Sequence, residues 1–372
     1  MSDNIFYFTK DDATINKDGS INISGKKSDG TIINIKCSAQ DLCTATLKPN
    51  NKNSKISTTT NFFKLTDIPN VMESKGWVQA AFLQRKWFND SNLEMTLSDK
   101  RGGWGNSNPK LDYYNPSRFN HEWLSKFPRY NQALNNLIAN LLTEKSKKVI
   151  IKSLKKLSFS PFNFEDSDTY EFSSSYYRGA DIELLKSFHR DWQIQREAID
   201  NSFPAKSATY ISNSLNIDDL WAAFGAFNIY ASIGDYSVSY IKSNDSYKIN
   251  IKSIYCYAID SYDFIIDGNK GKGDYLGHWN KNDMTFSLYD KDDIKNSMMT
   301  VVVDDTGTTE KYFIPEKLFF PIFNQHYQLY RKKHNKGKDM VIWTKPHLIK
   351  LESNKNSFFQ ISKKEVDKIL GG

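Results

Sequence analysis

Hydrophobic periodicity changes near Pro204, and this change constrains the fold more than any other feature of the sequence. Before it, apolar side chains recur every three or four residues in 77–88, 130–156 and 181–199, which predicts amphipathic helices. After it, β-branched and aromatic residues alternate with polar ones between Gly, Asn and Asp, which predicts strands. The predicted strands are 208–212, 227–241, 247–257, 284–289, 299–304 and 340–343, with one more helix at 318–333. The chain is therefore predicted to be α+β, with a helical middle region followed by a mainly antiparallel sheet or open β-barrel in the C-terminal half.

The first 60 residues differ from the rest because they are polar and rich in turn signals. Asp-Gly pairs at 18–19 and 29–30 border the alternating runs 20–23 and 31–35, which predicts small β-hairpins. A chain of 372 residues is long enough for two compact domains or for one large domain with an appendage. The predicted division is a β-rich module or docking segment at 1–60, a helical region at 61–203 and a β-rich catalytic region at 204–372, the alternative being one domain at 61–372.

Composition and charge indicate a soluble protein that contacts anions. The chain has 50 Lys and Arg against 43 Asp and Glu, and a net charge of +7 favours anionic lipid, nucleic acid or phosphorylated substrate without choosing among them. The N-terminus lacks the basic and apolar regions of a signal peptide, and the longest apolar stretch, 220–233, is shorter than a membrane helix. We expect synthesis in the cytoplasm and, if the protein leaves the cell, export by a dedicated machine. Its cysteines form neither a disulfide framework nor a zinc motif: Cys37, Cys43 and Cys256.

Two carboxylates and a phenol fall within four residues where a predicted strand meets a loop: Asp260, Tyr262 and Asp263. In a continuing strand Asp260 and Tyr262 share a face, and a bend at Tyr262 brings Asp263 beside Asp260. Two neighbouring carboxylates can hold Mg²⁺ against a substrate phosphate, or divide into an acid and a base because repulsion separates their pKa values. The alternative interpretation is a turn, which Asp caps and Tyr anchors.

A second group of candidates lies in the helix predicted at 318–333 and just beyond it. Arg331 and His334 are three residues apart, so an Arg fork that holds a phosphate would lie beside an imidazole that moves a proton. Lys332 and Lys333 extend an anion-attracting rim for substrate binding. The alternative is the solvated basic end of a helix, which complements the helix dipole equally well.

His278 and Trp279 supply a rival imidazole and an aromatic neighbour for substrate. A lone His beside Trp is, however, more often a structural side chain than a ligand. The sequence contains no G-x-S-x-G, Walker A, H-E-x-x-H or C-x-x-C motif, which excludes these common nucleophile, nucleotide and metal signatures. The Gly- and Lys-rich run 268–273 does not lie between a strand and a helix, so a flexible loop is its simplest interpretation.

Several segments combine into one pattern: 68–69 through 76–88, 224–227, 260–264 with 276–279, and 330–339. Together they resemble an uncharacterised family carried as cargo beside type VI secretion genes of Gram-negative bacteria. The resemblance covers roughly residues 62–345, and the first 60 residues outside it are expected to serve delivery or docking. It implies an effector whose partners are a secretion-machine spike or adaptor and a cognate immunity protein.

The run Asp260-x-Tyr262-Asp263 is also similar to the central motif of colicin M-type bacteriocins. Those proteins are Mg²⁺-dependent phosphodiesterases with an α+β domain built on an open β-barrel, and they cut the lipid-linked peptidoglycan precursor, lipid II, in the periplasm. In that family an adjacent His-Arg pair follows the motif. The sequence departs from the family here, because its only His-Arg dipeptide, at 189–190, lies upstream.

The leading hypothesis is therefore an antibacterial effector that hydrolyses a lipid-linked phosphate, lipid II, in the target-cell periplasm. The resemblance implies that Asp260 and Asp263 bind Mg²⁺ or activate water, and that Tyr262 orients the phosphate. Arg331 would clamp that phosphate, and His334 would act as base or acid, with His278 as the alternative base.

Three other functions remain open on the sequence. A non-catalytic toxin would insert into membranes through its aromatic surface and the stretch 220–233, and peripheral membrane contact is compatible with either toxin. A binding or adaptor protein of a secretion apparatus would not be toxic in the periplasm. A nuclease ranks last, because the carboxylate motif lacks nearby His and Lys companions, and no nucleic-acid partner is expected.

Overall fold

The computed structural model describes most of the chain between residues 58 and 371 and short strands before it. The described residues are 6–7, 13–15, 21–26, 32–37, 42–48, 58–157, 160–163, 169–173, 181–199, 217–268, 271–285, 300–303, 309–313, 319–351 and 357–371. The chain packs into two compact units that interleave along the sequence. The first unit contains 1–95, 210–223 and 263–339, and the second contains 96–209, 224–262 and 340–372. The sequential three-part division predicted above stays a prediction.

Helices fall mainly in the middle of the chain, as predicted. They are α1 (Ile68–Ser74), α2 (Val78–Asn89), α3 (Leu97–Arg101), α4 (His121–Leu124), α5 (Pro128–Ala139), α6 (Glu144–Lys155), α7 (Ile182–Trp192), α8 (Asp219–Phe224), α9 (Asn324–His334) and α10 (Lys363–Gly371).

Strands occupy the N-terminal segment and much of the second half. They are β1 (Phe6–Tyr7), β2 (Ala13–Ile15), β3 (Ile21–Lys26), β4 (Ile32–Cys37), β5 (Leu42–Lys48), β6 (Thr58–Lys64), β7 (Asp112–Tyr114), β8 (Thr169–Ser173), β9 (Gln193–Ile199), β10 (Phe227–Ile233), β11 (Asp235–Ile241), β12 (Ser246–Ile251), β13 (Ser253–Tyr262), β14 (Tyr275–Trp279), β15 (Met284–Thr285), β16 (Thr300–Val303), β17 (Thr309–Phe313), β18 (Phe320–Phe323), β19 (Met340–Trp343), β20 (His347–Lys350) and β21 (Phe358–Ser362).

The first unit contains two antiparallel sheets together with helices α1, α2 and α9. One sheet has the order β16-β17-β1-β3-β4-β5-β6, with β2 on β3, and the other is β15-β14-β18. Helix α2 is amphipathic, and its Ala80, Leu83 and Trp87 are fully buried. Its start is capped from a distant segment, because Asp219 accepts hydrogen bonds of 2.9 Å from the backbone N–H groups of Gln79 and Ala80.

The second unit contains a central sheet of order β7-β19-β13-β10-β9, with β20 also paired to β13, and a second sheet of order β21-β12-β11-β8. Apart from the parallel pair β7–β19, the pairings are antiparallel. Strand β13 is the longest of the described strands, at ten residues, and lies at the centre because β10 covers one edge and β19 and β20 share the other. The predicted α+β class with mainly antiparallel sheets is thus confirmed.

Several predicted helices were too long because strand pairing or a loop divides them. The segment 130–156 forms α5 and α6, and Thr143 caps α6 by accepting from the backbone N–H of Ser146. The segment 181–199 is helical only to Trp192, after which β9 pairs with β10. The segment 318–333 begins with β18, which pairs with β14 before α9 starts.

Two predicted strands each contain a corner. The run 227–241 forms β10 and β11, which meet at Gly234, and 247–257 is divided between β12 and β13. The predicted strand 208–212 and the later part of 284–289 lie outside the described residues, whereas 299–304 contains β16.

The apolar stretch 220–233 is divided between α8 and β10. In the described part of the chain, no helix combines the length and apolar character needed to cross a membrane.

Candidate functional site

Strand β13 ends on the residues of the carboxylate motif. Asp260 pairs with Ile342 and Tyr262 with Met340 across the β13–β19 ladder, so strand alternation places Asp260 and Tyr262 on one face. Asp260 is half-buried, whereas Tyr262 is only 9% exposed. Both belong to the second unit, and Asp263 begins a segment of the first unit.

Asp263 begins a segment that is held firmly along α9. Its Oδ1 accepts from the backbone N–H of Ile265 at 3.2 Å, which is an Asx-type turn. The amide of Gln328 donates to the Phe264 carbonyl, and that of Asn324 donates to the Ile265 carbonyl, both at 2.9 Å. These bonds fix the half-buried Asp263 beside the helix.

The ring of Phe264, in the same segment, packs into an aromatic core. It stacks on Tyr327 of α9 with centroids 3.7 Å apart, and it meets the edge of Trp87 at 5.1 Å. The phenol of Tyr327 in turn accepts from the buried Gln84 amide at 2.6 Å. Gln84 lies on the buried face of α2, and this bond explains how an amide is tolerated there.

Arg331 is buried inside the first unit, with 3% of its surface exposed. Its guanidinium forms an ion pair with Asp339, donates to the Gly337 carbonyl at 3.1 Å and lies over the Trp87 ring at 5.3 Å. Glu94 approaches the same group at 3.5 Å. The phosphate-clamping role of Arg331 stays a prediction, and it would require the guanidinium to give up contacts within its own unit.

Asp339 is the partner that sequence reasoning missed. It is fully buried and accepts 2.9 Å hydrogen bonds from the Trp87 indole and the Met95 backbone, besides its bond from Arg331. Burial raises the pKa of Asp339 to about 6 against the opposing effect of Arg331, and the negative charge of Asp263 contributes to the rise. Asp339 lay within the resembling segment 330–339, but an Asp after Gly-Lys gives no signal of burial.

The exposed groups of this region are at the C-terminal end of α9. Lys332, Lys333 and His334 are exposed, and the His334 ring lies 4.4 Å from that of Tyr330. Arg331 is therefore buried and His334 is exposed, although both lie in the last turn of the helix. The three exposed residues, Lys332, Lys333 and His334, are named the basic rim.

His278 and Trp279 lie in the interior of the first unit. His278 has no exposed surface, and its Nδ1 forms a short hydrogen bond with the Tyr275 hydroxyl. Trp279 is 3% exposed, donates to the Leu276 carbonyl at 2.8 Å and meets Trp77 edge-on. Their burial fits the structural interpretation, and their catalytic and substrate-binding roles stay predictions.

A different imidazole accompanies Asp260 in the second unit. His189 of α7 shares a 2.9 Å hydrogen bond with the Tyr257 hydroxyl, which shares another of 2.7 Å with the buried Ser232. Burial lowers the pKa of His189 to about 4, so its ring is neutral near pH 7. His189 lies upstream of the carboxylate motif in the sequence, yet the fold brings it from α7 to Tyr257 of β13, three residues before Asp260.

Tyr230 connects this imidazole to the carboxylate motif. The His189 ring meets Tyr230 edge-on at 4.9 Å, and the Trp104 indole donates to the Tyr230 hydroxyl at 3.1 Å. The pKa of Tyr230 is raised, mainly by burial, and the negative charge of Asp260 adds to the rise. No sequence signal links residues so far apart along the chain.

The structure brings a second carboxylate within electrostatic range of Asp263. Asp339, the carboxylate whose pKa Asp263 influences, is occupied by Arg331, Trp87 and a backbone N–H. Within the residues that the structure describes, no group of three or more His, Cys, Asp or Glu is arranged to hold a metal ion. Mg²⁺ remains a prediction of the resemblance.

Comparison with known proteins gives a family and no function. Neither a curated protein nor a solved structure matches the chain. Residues 63–358 match the model of a family of unknown function, DUF6402, and this span contains the carboxylate motif, the basic rim and His189. Because the match covers well over half of the sequence, the protein belongs to the DUF6402 family.

Proposed function

We propose that this protein is an antibacterial effector toxin that hydrolyses a lipid-linked phosphate of the cell envelope. The observation that carries the proposal is the position of Asp263, a half-buried carboxylate fixed beside the helix whose end bears the basic rim. A carboxylate held along a helix that ends in exposed cations supports hydrolysis of an anionic substrate as the proposed reaction. Lipid II is the substrate that the similarity to the colicin M motif implies.

The chemistry assigned to these residues needs only water. Asp263 takes a proton from the water that attacks phosphorus, and the bond from phosphorus to the leaving oxygen breaks. His334 returns a proton to that oxygen, and Lys332 and Lys333 hold the phosphate charge. In this proposal the two lysines replace Arg331 as the phosphate contact, since Asp339 occupies Arg331. Asp260 and Tyr262 keep the supporting roles that the motif implies.

The proposed setting follows from the same resemblance. The protein is exported with a secretion-machine spike or adaptor, acts in the periplasm of the target cell and is neutralised in the producer by an immunity protein. Residues 1–60, which contain β1 to β5, lie outside the family match and would serve docking to the machine.

The first experiment is expression in a bacterial cell with and without a periplasmic signal. Wild type is expected to lyse cells only when exported, and Asp263→Asn is expected to abolish lysis because it removes the proton acceptor. Asp267→Asn is the matched control, since Asp267 is an exposed carboxylate four residues further on. Lysis that survives Asp263→Asn would overturn the hydrolase proposal. A cleavage assay on purified lipid II, with and without Mg²⁺, follows a positive result.

A binding or adaptor function is the second candidate, and one observation favours it. Arg331 and His278 are both buried in contacts within the first unit, as expected for structural side chains. This function predicts no killing from either compartment. Export-dependent killing that Asp263→Asn leaves unchanged, with dye leakage from liposomes, would instead indicate membrane insertion.

A further inference from the structure

One face of helix α6 presents only positive charge to solvent. The helix runs from Glu144 to Lys155 in the second unit. At roughly 100° per residue, five exposed lysines fall within an arc of about 100° and along a length of about 16 Å. These five are named the lysine face: Lys145, Lys148, Lys152, Lys155 and Lys156.

The opposite side of α6 is fixed in the core of its unit. Ile150 and Leu154 are fully buried there, and both lie across the helix from the lysines. The buried Ser146 hydroxyl donates to the Leu141 carbonyl at 2.7 Å, which holds the first turn in place. The lysine side chains therefore extend from a backbone whose orientation the core determines.

Within the described residues, no ion pair neutralises the lysine face. Glu144, the carboxylate of α6, pairs with Lys147, which lies outside the face. Lys155 donates to a neutral group, the Leu370 carbonyl, at 3.3 Å. Helix α10, which packs on α6, carries three lysines and two carboxylates, so it adds no net negative charge.

This arrangement of lysines is unfavourable for an isolated helix. Lys148 and Lys152 are four residues apart, as are Lys152 and Lys156, and like charges at this spacing repel each other. Lys145, in the first turn, also lies at the positive end of the helix dipole. An extended anionic surface would relieve both effects, so charge complementarity indicates a polyanionic partner.

Apolar side chains at the borders of the lysine face favour a lipid surface over nucleic acid. Val149 borders the lysine stripe, and Leu370 lies where Lys155 reaches α10; both are half-buried. Such side chains can reach the boundary between head groups and acyl chains while ammonium groups contact phosphates. The five residues of the face include neither the arginine forks nor the aromatic rings with which proteins hold and stack nucleotides.

We propose that the lysine face docks the protein on the surface of a bilayer that contains anionic phospholipids. The ammonium groups contact the lipid phosphates, and Val149 and Leu370 reach the head-group boundary. Each lysine near an anionic surface strengthens binding about fivefold, so five acting together can hold a whole protein there. The proposal does not rest on the hydrolase function, because it uses none of the residues assigned to that chemistry.

Sedimentation of the full-length protein with lipid vesicles tests this docking. Vesicles of phosphatidylcholine mixed with phosphatidylglycerol are expected to bind the protein at low salt, whereas vesicles of phosphatidylcholine alone are not. Binding should weaken as salt rises, because salt screens the contacts between ammonium and phosphate groups. Equal binding to both kinds of vesicle, or no binding to the mixed ones, would overturn the proposal.

Two triple variants decide whether α6 is responsible. The test variant combines three substitutions in the lysine face: Lys145→Gln, Lys148→Gln and Lys152→Gln. Its affinity for mixed vesicles should fall about a hundredfold, since it lacks three contributions of about fivefold each. The matched control changes three exposed lysines elsewhere in the same unit: Lys126→Gln, Lys345→Gln and Lys350→Gln. Equal losses in the two variants, once thermal melting shows that both are folded, would contradict the assignment to α6.

A labelled single-stranded oligonucleotide distinguishes lipid from nucleic acid as the partner. Fluorescence anisotropy that shows oligonucleotide binding through the lysine face, without binding to mixed vesicles, would overturn lipid docking. Vesicle binding that the test variant loses, without oligonucleotide binding, would support it. Neutral detergent micelles offer no anionic surface, so hydrolysis measured in such micelles does not involve the lysine face.

Discussion

Gly337 lies against the indole of Trp87, with φ at +108°. A Cβ at this position would lie 2.6 Å from Trp87 Cη2 and 2.7 Å from Cζ2. Gly337→Ala is therefore expected to destabilise the protein by about 3 kcal/mol, from backbone strain and displacement of a buried ring together. Urea unfolding measures the change.

Gly76 separates the two contributions. Its φ is +80°, and a Cβ there would meet no atom within 4 Å, so Gly76→Ala introduces backbone strain without a clash. Gly337→Ala should therefore cost clearly more stability than Gly76→Ala. Equal losses would show that Trp87 moves aside freely.

His189 should make the stability of the protein depend on pH. Burial lowers its pKa to about 4 from an ordinary value of 6.5. Between these values the unfolded chain binds the proton more strongly, so stability falls as pH falls from 6.5 toward 4. Wild type is expected to lose up to about 2 kcal/mol more than His189→Gln between pH 7 and pH 5. Chemical unfolding at both pH values measures this difference, and parallel losses would contradict it.

At the scale of elements, a buried ion pair anchors helix α7. Lys186 donates to Asp112 of β7 at 2.6 Å, and the side chains are only 5% and 3% exposed. The Ser107 hydroxyl and the Trp343 indole complete the hydrogen bonding of Asp112 at 3.0 and 3.1 Å. Asp112→Asn is expected to destabilise the protein by about 3 kcal/mol, because it leaves the buried Lys186 charge with only the exposed Glu183 carboxylate at 4.0 Å as a counter-charge. Thermal and urea unfolding report the loss.

The exposed pair Lys147–Glu144 on α6 is the control for that substitution. Its carboxylate side chain is 83% exposed, and solvent screens the interaction. Glu144→Gln should therefore change stability little. A comparable loss in both variants would show that burial of the Lys186 pair is not the cause.

At the scale of the whole molecule, the net charge of +7 should assist contact with an anionic substrate. Replacing Lys332 and Lys333 of the basic rim by Glu is expected to lower kcat/KM on a lipid-linked phosphate about tenfold or more at low salt. The loss should shrink as salt rises, because the Debye length is only about 10 Å at 0.1 M.

A second double variant holds the change in net charge constant. Lys145 and Lys148 are exposed on α6, and replacing both by Glu alters the total charge by the same amount. Steering by the basic rim predicts that only the first variant loses most of its activity. Similar losses would indicate a general effect of charge.

Much of the fold could be predicted because the patterns that specify it are local. The stripe that contains Ala80, Gln84 and Phe88 predicts α2 from its own spacing, and the alternating runs before residue 60 contribute to β3 and β4. For 193–199 the helix prediction was wrong, although the helical spacing of apolar residues continues through this segment. Pairing with β10 made that segment β9, and such pairing is not encoded within the segment itself.

The sequence by itself determined the α+β class, most helix positions and the placement of Asp260 and Tyr262 at the end of a strand. Only the tertiary structure decided that Arg331 is buried against Asp339, and that His189 reaches β13 from upstream. Periodicity reports which face of a segment avoids water. It does not report which distant side chain meets that face, and burial and ion pairing depend on that partner.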